Sequence, residues 1–123
     1  MNLVDSSGWL EYFANDKNAD FFAKTIEDTD NLIVSAINLY EVFKKVLQQR
    51  DENAAFQAIA LMQQSKTIDV DSSISLLAAK LSTDFNIPMA DSLILATANT
   101  YNATLWTQDS DFKDIPGVKY IDK

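Results

Sequence analysis

The chain has 123 residues, 47% of them hydrophobic and 23% charged, which is typical of one soluble globular domain spanning residues 1–123. It contains no cysteine and no histidine, which excludes disulfides, thiolate chemistry and imidazole acid–base catalysis. Eighteen acidic residues against ten basic ones give a net charge of −8, which disfavours broad binding to nucleic-acid backbones.

The first part of the chain alternates between strand and helix patterns. Residues 2–4 (NLV) predict a short buried strand, and residues 9–15 (WLEYFAN) predict a helix after a polar corner at Asp5. Residues 16–28 predict a second helix, and residues 31–36 (NLIVSA) predict a second strand. The N-terminal residues lack the basic and apolar segments of a secretory signal, and no segment is apolar for long enough to span a membrane. We therefore expect a cytoplasmic protein without a membrane partner.

The alternation continues to the end of the chain. The predicted helices are residues 38–50, a following segment with Ala55, Ile59 and Met62, residues 72–85 capped by Ser72 or Ser73, and residues 86–102 opening near Pro88. The predicted strands are KTIDVD, TLWT and VKYI. Parallel neighbours need crossover connections, which helices supply. The pattern therefore predicts an α/β fold with a central parallel sheet that helices cover on both faces.

Two aspartates follow predicted strands. Asp5 comes directly after the first strand, and Asp109 follows TLWT. Ligands of open α/β sheets bind at the carboxyl ends of strands, so both aspartates are site candidates. Alternatively, Asp5, Ser6 or Ser7 caps the next helix, and Asp109 forms a turn in which its side chain accepts from an amide two residues on.

Two further carboxylates lie on predicted helices. Asp91 is expected to be half-buried, because its neighbours three, four and seven residues on are Ile94, Leu95 and Ala98. The alternative is a first-turn acid that complements the helix dipole. Glu41 is explained on its own by a solvated pair with Lys45.

Asp5, Asp91 and Asp109 are expected to converge at one edge of the sheet. Like charges ~4 Å apart repel by about 4 kcal/mol at an effective dielectric constant near 20, so such a cluster needs compensation. Without imidazole or thiol ligands, the natural compensation is a hard divalent cation, Mg²⁺ or Mn²⁺, bound by these three aspartates.

Four segments in order resemble the PIN-domain ribonucleases, and within them the VapC-type toxins of bacterial and archaeal toxin–antitoxin pairs. They are LVDSSGWLEYF, VSAINLYEVFKK, IPMADSLILATA and LWTQDSDFKDIPGVKYI. The order, spacing and chain length are typical of the family, although any one segment alone is a weak signal. The resemblance implies an acidic catalytic pocket with supporting hydroxyls and one additional candidate acid: Asp5, Glu41, Asp91 and Asp109, with Ser6 and Thr107, and with Asp111.

Asp109 lies two residues after Thr107, at the end of the predicted strand, so we expect Asp109 rather than Asp111 to be the metal-site acid. An extended backbone would keep Asp111 on the same side as Asp109, whereas a helical turn would swing it away. The resemblance also implies a three-layer α/β/α sandwich around the central parallel sheet, metal-assisted hydrolysis of RNA, a homodimer, and a small antitoxin protein that blocks the pocket. Lys44, Lys45 and Arg50 are candidates for phosphate contacts, with a solvated helix face as the alternative.

Three other functions are weighed against this one. An aspartyl phosphotransfer enzyme would need a second aspartate two residues after Asp5, where Ser7 stands. A PIN-domain nuclease with an RNA-processing role outside a toxin–antitoxin pair is the second. A catalytically silent PIN fold that only binds RNA or protein is the third.

Overall fold

Five parallel strands form the centre of the computed structural model, which describes residues 1–123. They are β1 (Asn2–Val4), β2 (Leu32–Ser35), β3 (Lys66–Ile68), β4 (Thr104–Thr107) and β5 (Val118–Tyr120). The strand order is β3-β2-β1-β4-β5, and every neighbouring pair is parallel. After β1, the chain adds β2 and β3 on one side of β1 and then β4 and β5 on the other side. The strand order therefore reverses between β1 and β4.

Six α-helices cover the two faces of this sheet. They are α1 (Ser6–Ala14), α2 (Ala19–Glu27), α3 (Ala36–Gln49), α4 (Glu52–Met62), α5 (Ser72–Phe85) and α6 (Met89–Thr100). Short 3₁₀ turns occupy Thr29–Asn31 and Ser110–Phe112. The first four helices pack in one core and the last two in the other. No helix combines the length and the apolar character needed to cross a bilayer.

Side chains along the strands alternate between the two cores. Leu3 and Ile33 pack with α5 and α6, whereas Val4, Leu32 and Val34 pack with α1 to α4. Alternation is the period of a β-strand, and here both faces are buried, which explains why these strands read as continuous apolar runs. The predicted three-layer α/β/α sandwich with a central parallel sheet is confirmed.

The start of α5 differs from the prediction. Strand β3 ends at Ile68 instead of continuing to residue 71, and Asp71 caps α5 by accepting from the amide of Ile74 at 2.9 Å. The predicted caps, Ser72 and Ser73, are instead the first residues of the helix. An aspartate at this position accepts from the free first-turn amides as well as serine does, so composition alone did not separate the three.

Helix α1 approaches the sheet and α2 closely at Gly8. A Cβ atom on Gly8 would lie 2.7 Å from Val4 Cγ1 and 2.7 Å from ring carbons of Phe22. These neighbours are fully buried, so they have no free space to move into. Glycine at this position therefore sets the distance of α1 from strand β1 and places the start of α1 at the sheet edge.

Candidate active site

The carboxyl ends of β1 and β4 meet where the strand order reverses. The amide of Asp5 donates to the Trp106 carbonyl at 2.8 Å, so the pairing of β1 with β4 reaches the site itself. Asp5 Oδ2 accepts hydrogen bonds from Ser7 Oγ at 2.6 Å and from Thr107 Oγ1 at 2.9 Å. The Asp5 side chain makes no capping bond to α1, so the capping alternative does not describe this residue.

Burial governs the ionisation of Asp5, which is 3% exposed. Removal from water raises the pKa of Asp5, the Ser7 and Thr107 hydroxyls oppose that rise, and the charge of Asp109 adds to it. Two hydroxyl donors on one oxygen therefore hold this carboxylate in a fixed orientation while partly offsetting the cost of its burial.

Three aspartates form the tightest carboxylate cluster in the protein. One oxygen each from Asp91, Asp109 and Asp111 lies within 4.8 Å of the other two. Asp91 lies in the first turn of α6, and Asp109 and Asp111 belong to the 3₁₀ turn that follows β4. Asp109 and Asp91 thus come together as predicted, while Asp5 lies outside this closest group.

The expectation that a helical turn carries Asp111 away from the site is wrong. Residues 110–112 do form a helical turn, yet the Asp111 carboxylate joins the cluster. The reason is local: Asp109 Oδ1 accepts from the amide of Asp111 at 2.9 Å, which folds the chain back on itself. The aspartate turn proposed as an alternative role for Asp109 is therefore present, and it helps to build the acidic cluster.

Asp91 is a strongly perturbed carboxylate. Burial is the main cause, and a hydrogen bond with Asp111 and the charges of Asp109, Asp5 and Asp111 add to it; together they raise the pKa of Asp91 to about 8. A helix N-terminus favours the ionised form, so its effect is outweighed here. The apolar neighbours predicted to bury this face, Ile94, Leu95 and Ala98, are each at most 2% exposed.

Glu41 is tied to the same sheet edge. Its Oε1 accepts from Ser6 Oγ at 2.8 Å, and Ser6 Oγ in turn accepts from Asn38 Nδ2 at 2.9 Å. Burial raises the pKa of Glu41, the Ser6 bond lowers it, and the charges of Asp5 and Asp109 raise it further. These contacts place Glu41 at the pocket and not only on a solvated helix face.

Asn38 is a site residue that sequence reasoning missed. Its Oδ1 accepts from the amide of Ser35 at 3.0 Å, and Ser35 Oγ accepts from the amide of Ile37 at 3.1 Å, which closes a reciprocal cap at the start of α3. Because of this cap, α3 begins at Ala36, earlier than the predicted residue 38. The Ser-x-x-Asn spacing after an apolar strand was the available signal.

Gln108 was also missed, and it lies between two predicted site residues. It is 6% exposed; its Nε2 donates to Glu11 Oε1 at 3.1 Å, and its Oε1 accepts from Asn18 Nδ2 at 2.9 Å. A longer bond of 3.4 Å joins Nε2 to the Ser7 carbonyl. The loop that carries Asp109 is therefore anchored to α1 and to the start of α2. Nothing in the sequence pattern distinguishes this glutamine from an exposed one.

A family model for the PIN domain matches residues 3–118. This chain belongs to the PIN-domain family. Ribonuclease VapC4 of Mycobacterium tuberculosis is 32% identical to it over 96 residues, which are 72% of this chain and 74% of that protein. The predicted resemblance to VapC-type toxins is thereby confirmed.

Solved structures agree with the fold of this PIN domain. A toxin–antitoxin complex from Klebsiella pneumoniae superposes with a TM-score of 0.80 at 23% identity, covering 96% of this chain and 95% of that one. VapC20 of Mycobacterium tuberculosis, described as a toxin that cleaves the sarcin–ricin loop, gives 0.78 at 16% identity over 94% and 95% of the two chains. At these identities the similarity supports the three-layer architecture.

Proposed function

We propose that this PIN-domain protein is a metal-dependent endoribonuclease of the VapC type, the toxin of a toxin–antitoxin pair, which hydrolyses RNA phosphodiester bonds. The observation that carries the proposal is the acidic pocket at the strand-order reversal, in which the pKa of Asp91 is raised to about 8. Strongly perturbed carboxylates in one cleft are typical of functional sites.

The pocket fits a divalent cation. It presents oxygen ligands only, and its carboxylates repel one another, which is the arrangement that Mg²⁺ or Mn²⁺ compensates. Asp91 and Asp109 would hold the ion, with Asp5 on the β1 side and Asp111 on the side of the 3₁₀ turn. When bound, such an ion supplies a water of lowered pKa and stabilises negative charge on the phosphoryl oxygens.

The chain's own groups position the acids. Thr107 and Ser7 fix one oxygen of Asp5, and the Thr107 hydroxyl also accepts from the amide of Asp109 at 2.9 Å, so one side chain orders both strand-end aspartates. Ser6 fixes Oε1 of Glu41, leaving Oε2 to accept a proton. The raised pKa of Glu41 brings it closer to neutral pH, where a proton acceptor works best.

The proposal also includes the substrate, the inhibitor, the oligomeric state and the location of the protein. RNA is the substrate, a small antitoxin protein is the inhibitor, the active form is a homodimer, and the site of action is the cytoplasm. Structures with a similar fold support the antitoxin, because they include VapBC complexes from Rickettsia felis and Salmonella typhimurium, each bound to DNA. An acidic pocket with several carboxylates suits an inhibitor that inserts a basic side chain.

Cleavage of structured RNA tests the function. Wild-type protein with Mg²⁺ or Mn²⁺ should cut, a chelator should stop the reaction, and both Asp5→Ala and Asp91→Asn should abolish it. Asp84→Asn, which changes an exposed carboxylate on α5, is the matched control and should cut normally. Cleavage that needs no metal and survives both site variants would show that the proposed chemistry is wrong.

The two alternative PIN-domain functions predict different results in these experiments. A PIN nuclease outside a toxin–antitoxin pair would cut RNA without arresting the growth of a host that expresses it. A silent PIN fold would neither cut RNA nor rise in melting temperature with Mn²⁺, whereas an ion that binds the folded state raises the free energy of unfolding by about 2.7 kcal/mol at 100 times its Kd.

A further inference from the structure

A series of hydrogen bonds leads from the start of α3 to the acidic pocket. The amide of Ser35 donates to Asn38 Oδ1 at 3.0 Å, and Asn38 Nδ2 donates to Ser6 Oγ at 2.9 Å. Ser6 Oγ then donates to Glu41 Oε1 at 2.8 Å. We propose that Asn38 is a positioning residue, which holds Glu41 in place by fixing the direction in which the Ser6 hydroxyl donates. Its effect on the reaction rests on the proposed ribonuclease function, whereas its effect on Glu41 does not.

The orientation of the Asn38 amide group is set by its partner at the start of α3. A backbone amide can only donate, so the Asn38 atom that faces the Ser35 amide is the oxygen. The NH₂ group of Asn38 therefore faces Ser6 Oγ. Asn38 is 0% exposed, so water does not compete for either end of the side chain. The cap of α3 uses one end of Asn38, and the other end bonds Ser6.

The Ser6 hydroxyl has a single proton to donate. Its oxygen accepts from Asn38 Nδ2, so its proton points away from Asn38 and toward Glu41 Oε1. A hydrogen bond to an ionised carboxylate is stronger than one to a neutral acceptor, so a donor held in this direction favours charge on Oε1. Ser6 is buried, which shields this bond from water. One oxygen of Glu41 is thereby held at the pocket.

The geometry of α3 brings the two ends of this series together. Asn38 and Glu41 are three residues apart on one helix, so their side chains lie on the same face. Ser6, the first residue of α1, bonds both of them. Burial decreases from Asn38, which is in the core, to Glu41, which is half-buried. The bonds therefore connect a rigid helix start to a carboxylate that faces the pocket.

A purely structural role for Asn38, as one half of the α3 cap, is the alternative. The other half of the same cap supplies a matched control, because Ser35 Oγ accepts from the amide of Ile37 at 3.1 Å. Ser35→Ala removes that bond and leaves the bonds of Asn38 in place. Asn38→Leu removes the first half of the cap together with the bond to Ser6. A cap role alone therefore predicts similar effects of the two variants on the site.

The first test uses the metal-free protein. The ¹³C resonance of the Glu41 carboxyl group is recorded in chelator at neutral pH. It should move in the same direction in Asn38→Leu and in Ser6→Ala, because both lack the fixed donor, and it should keep its wild-type position in Ser35→Ala. If leucine prevents folding, as judged by thermal unfolding, Asn38→Ser takes its place, because it is too short to bond Ser6 and adds no bulk.

The second test measures cleavage of an RNA hairpin that carries a fluorophore and a quencher, in the presence of Mn²⁺. Asn38→Leu should lower kcat roughly tenfold or more and leave KM within about twofold of wild type, because a misplaced reacting group slows the reaction without weakening binding. The double variant Asn38→Leu/Ser6→Ala should have the kcat of Ser6→Ala alone, because Asn38 acts through Ser6. Ser35→Ala should keep the wild-type kcat.

The remaining outcomes contradict the assignment. A Glu41 resonance that stays in place in Asn38→Leu, or moves equally in Ser35→Ala, would show that Asn38 only caps the helix. An unchanged kcat in Asn38→Leu would remove its part in the reaction, and losses that multiply in the double variant would show that it does not act through Ser6. If wild type does not cleave the RNA while the resonance moves as expected, the ribonuclease function is rejected and the positioning of Glu41 by Asn38 stands.

Discussion

Replacing Asp91 by asparagine should stabilise the metal-free protein while it removes activity. The pKa of Asp91 is about 8 in the folded protein against an ordinary value of 3.8, so its contribution to stability is complete below pH 3.8 and is lost as the pH rises through about 8. At 1.36 kcal/mol per pKa unit the upper bound is about 6 kcal/mol. Asp91 is only half-buried, and solvent screening reduces the expected gain at pH 8 to about 2 kcal/mol.

Thermal unfolding in the presence of a chelator measures this gain. At pH 8, Asp91→Asn should melt roughly 8 °C above wild type, because about 4 °C corresponds to 1 kcal/mol in a domain of this size. At pH 5 the gain should fall to less than half, since wild-type Asp91 is then already protonated in the folded state. Asp84→Asn, at an exposed position on α5, is the control and should show no such pH-dependent gain.

Addition of Mn²⁺ should reverse the order at pH 8. Wild type then gains stability from binding, and Asp91→Asn gains little because it lacks one of the proposed ligands. If Asp91→Asn is no more stable than wild type at pH 8 in chelator, or if the gain is the same at pH 5, burial and neighbouring charges do not destabilise ionised Asp91 and the reasoning is refuted.

Three further predictions concern positions around the pocket. Asp109→Ala should abolish RNA cleavage and Asp111→Ala should only weaken it; the reverse ranking in cleavage assays would overturn the assignment of Asp109 as the principal acid. Gly8→Ala should lower the free energy of unfolding by about 1–3 kcal/mol in urea titrations, because the added Cβ lies 2.7 Å from the buried Phe22 ring; an unchanged midpoint would show that α1 can shift. Gln108→Glu should lower kcat while the melting temperature falls by only a few degrees, because it turns a donor toward Glu11 into a repelling carboxylate; unchanged kcat would limit this residue to a structural role.

The sequence was sufficient to predict the layer architecture. Strands with both faces buried are apolar throughout, and segments such as Leu32–Ser35 stand out against amphipathic helices. The end of each strand also predicts which residues share an edge, so Asp5 and Asp109 were recognisable as neighbours. Exact helix starts were not, because Asp71 and its serine neighbours have similar capping ability.

The residues near Glu41 in the sequence do not predict the contacts that join it to the pocket. Its link to Ser6 spans 35 residues of sequence and depends on how α1 sits against α3, which the neighbours of Glu41 along its own helix do not reveal. Local reasoning therefore found a solvated pair with Lys45, and only the family resemblance implied a place in the pocket. The placement of Asp111 was left open for a related reason, since a side-chain bond to its amide decides the direction of the turn.

The fold and the acidic pocket have a common origin in the reversal of strand order. Parallel neighbours lie about 4.8 Å apart, so residues that end β1 and β4 are brought together by pairing alone, and Thr107 can bond Asp5 directly. The first turn of α6 adds Asp91 to this edge, where burial and like charges disfavour its ionised form. Burial elsewhere in the three layers must offset that cost in the metal-free protein. A cation would remove the same cost, so binding an ion and stabilising the fold become one event at this site.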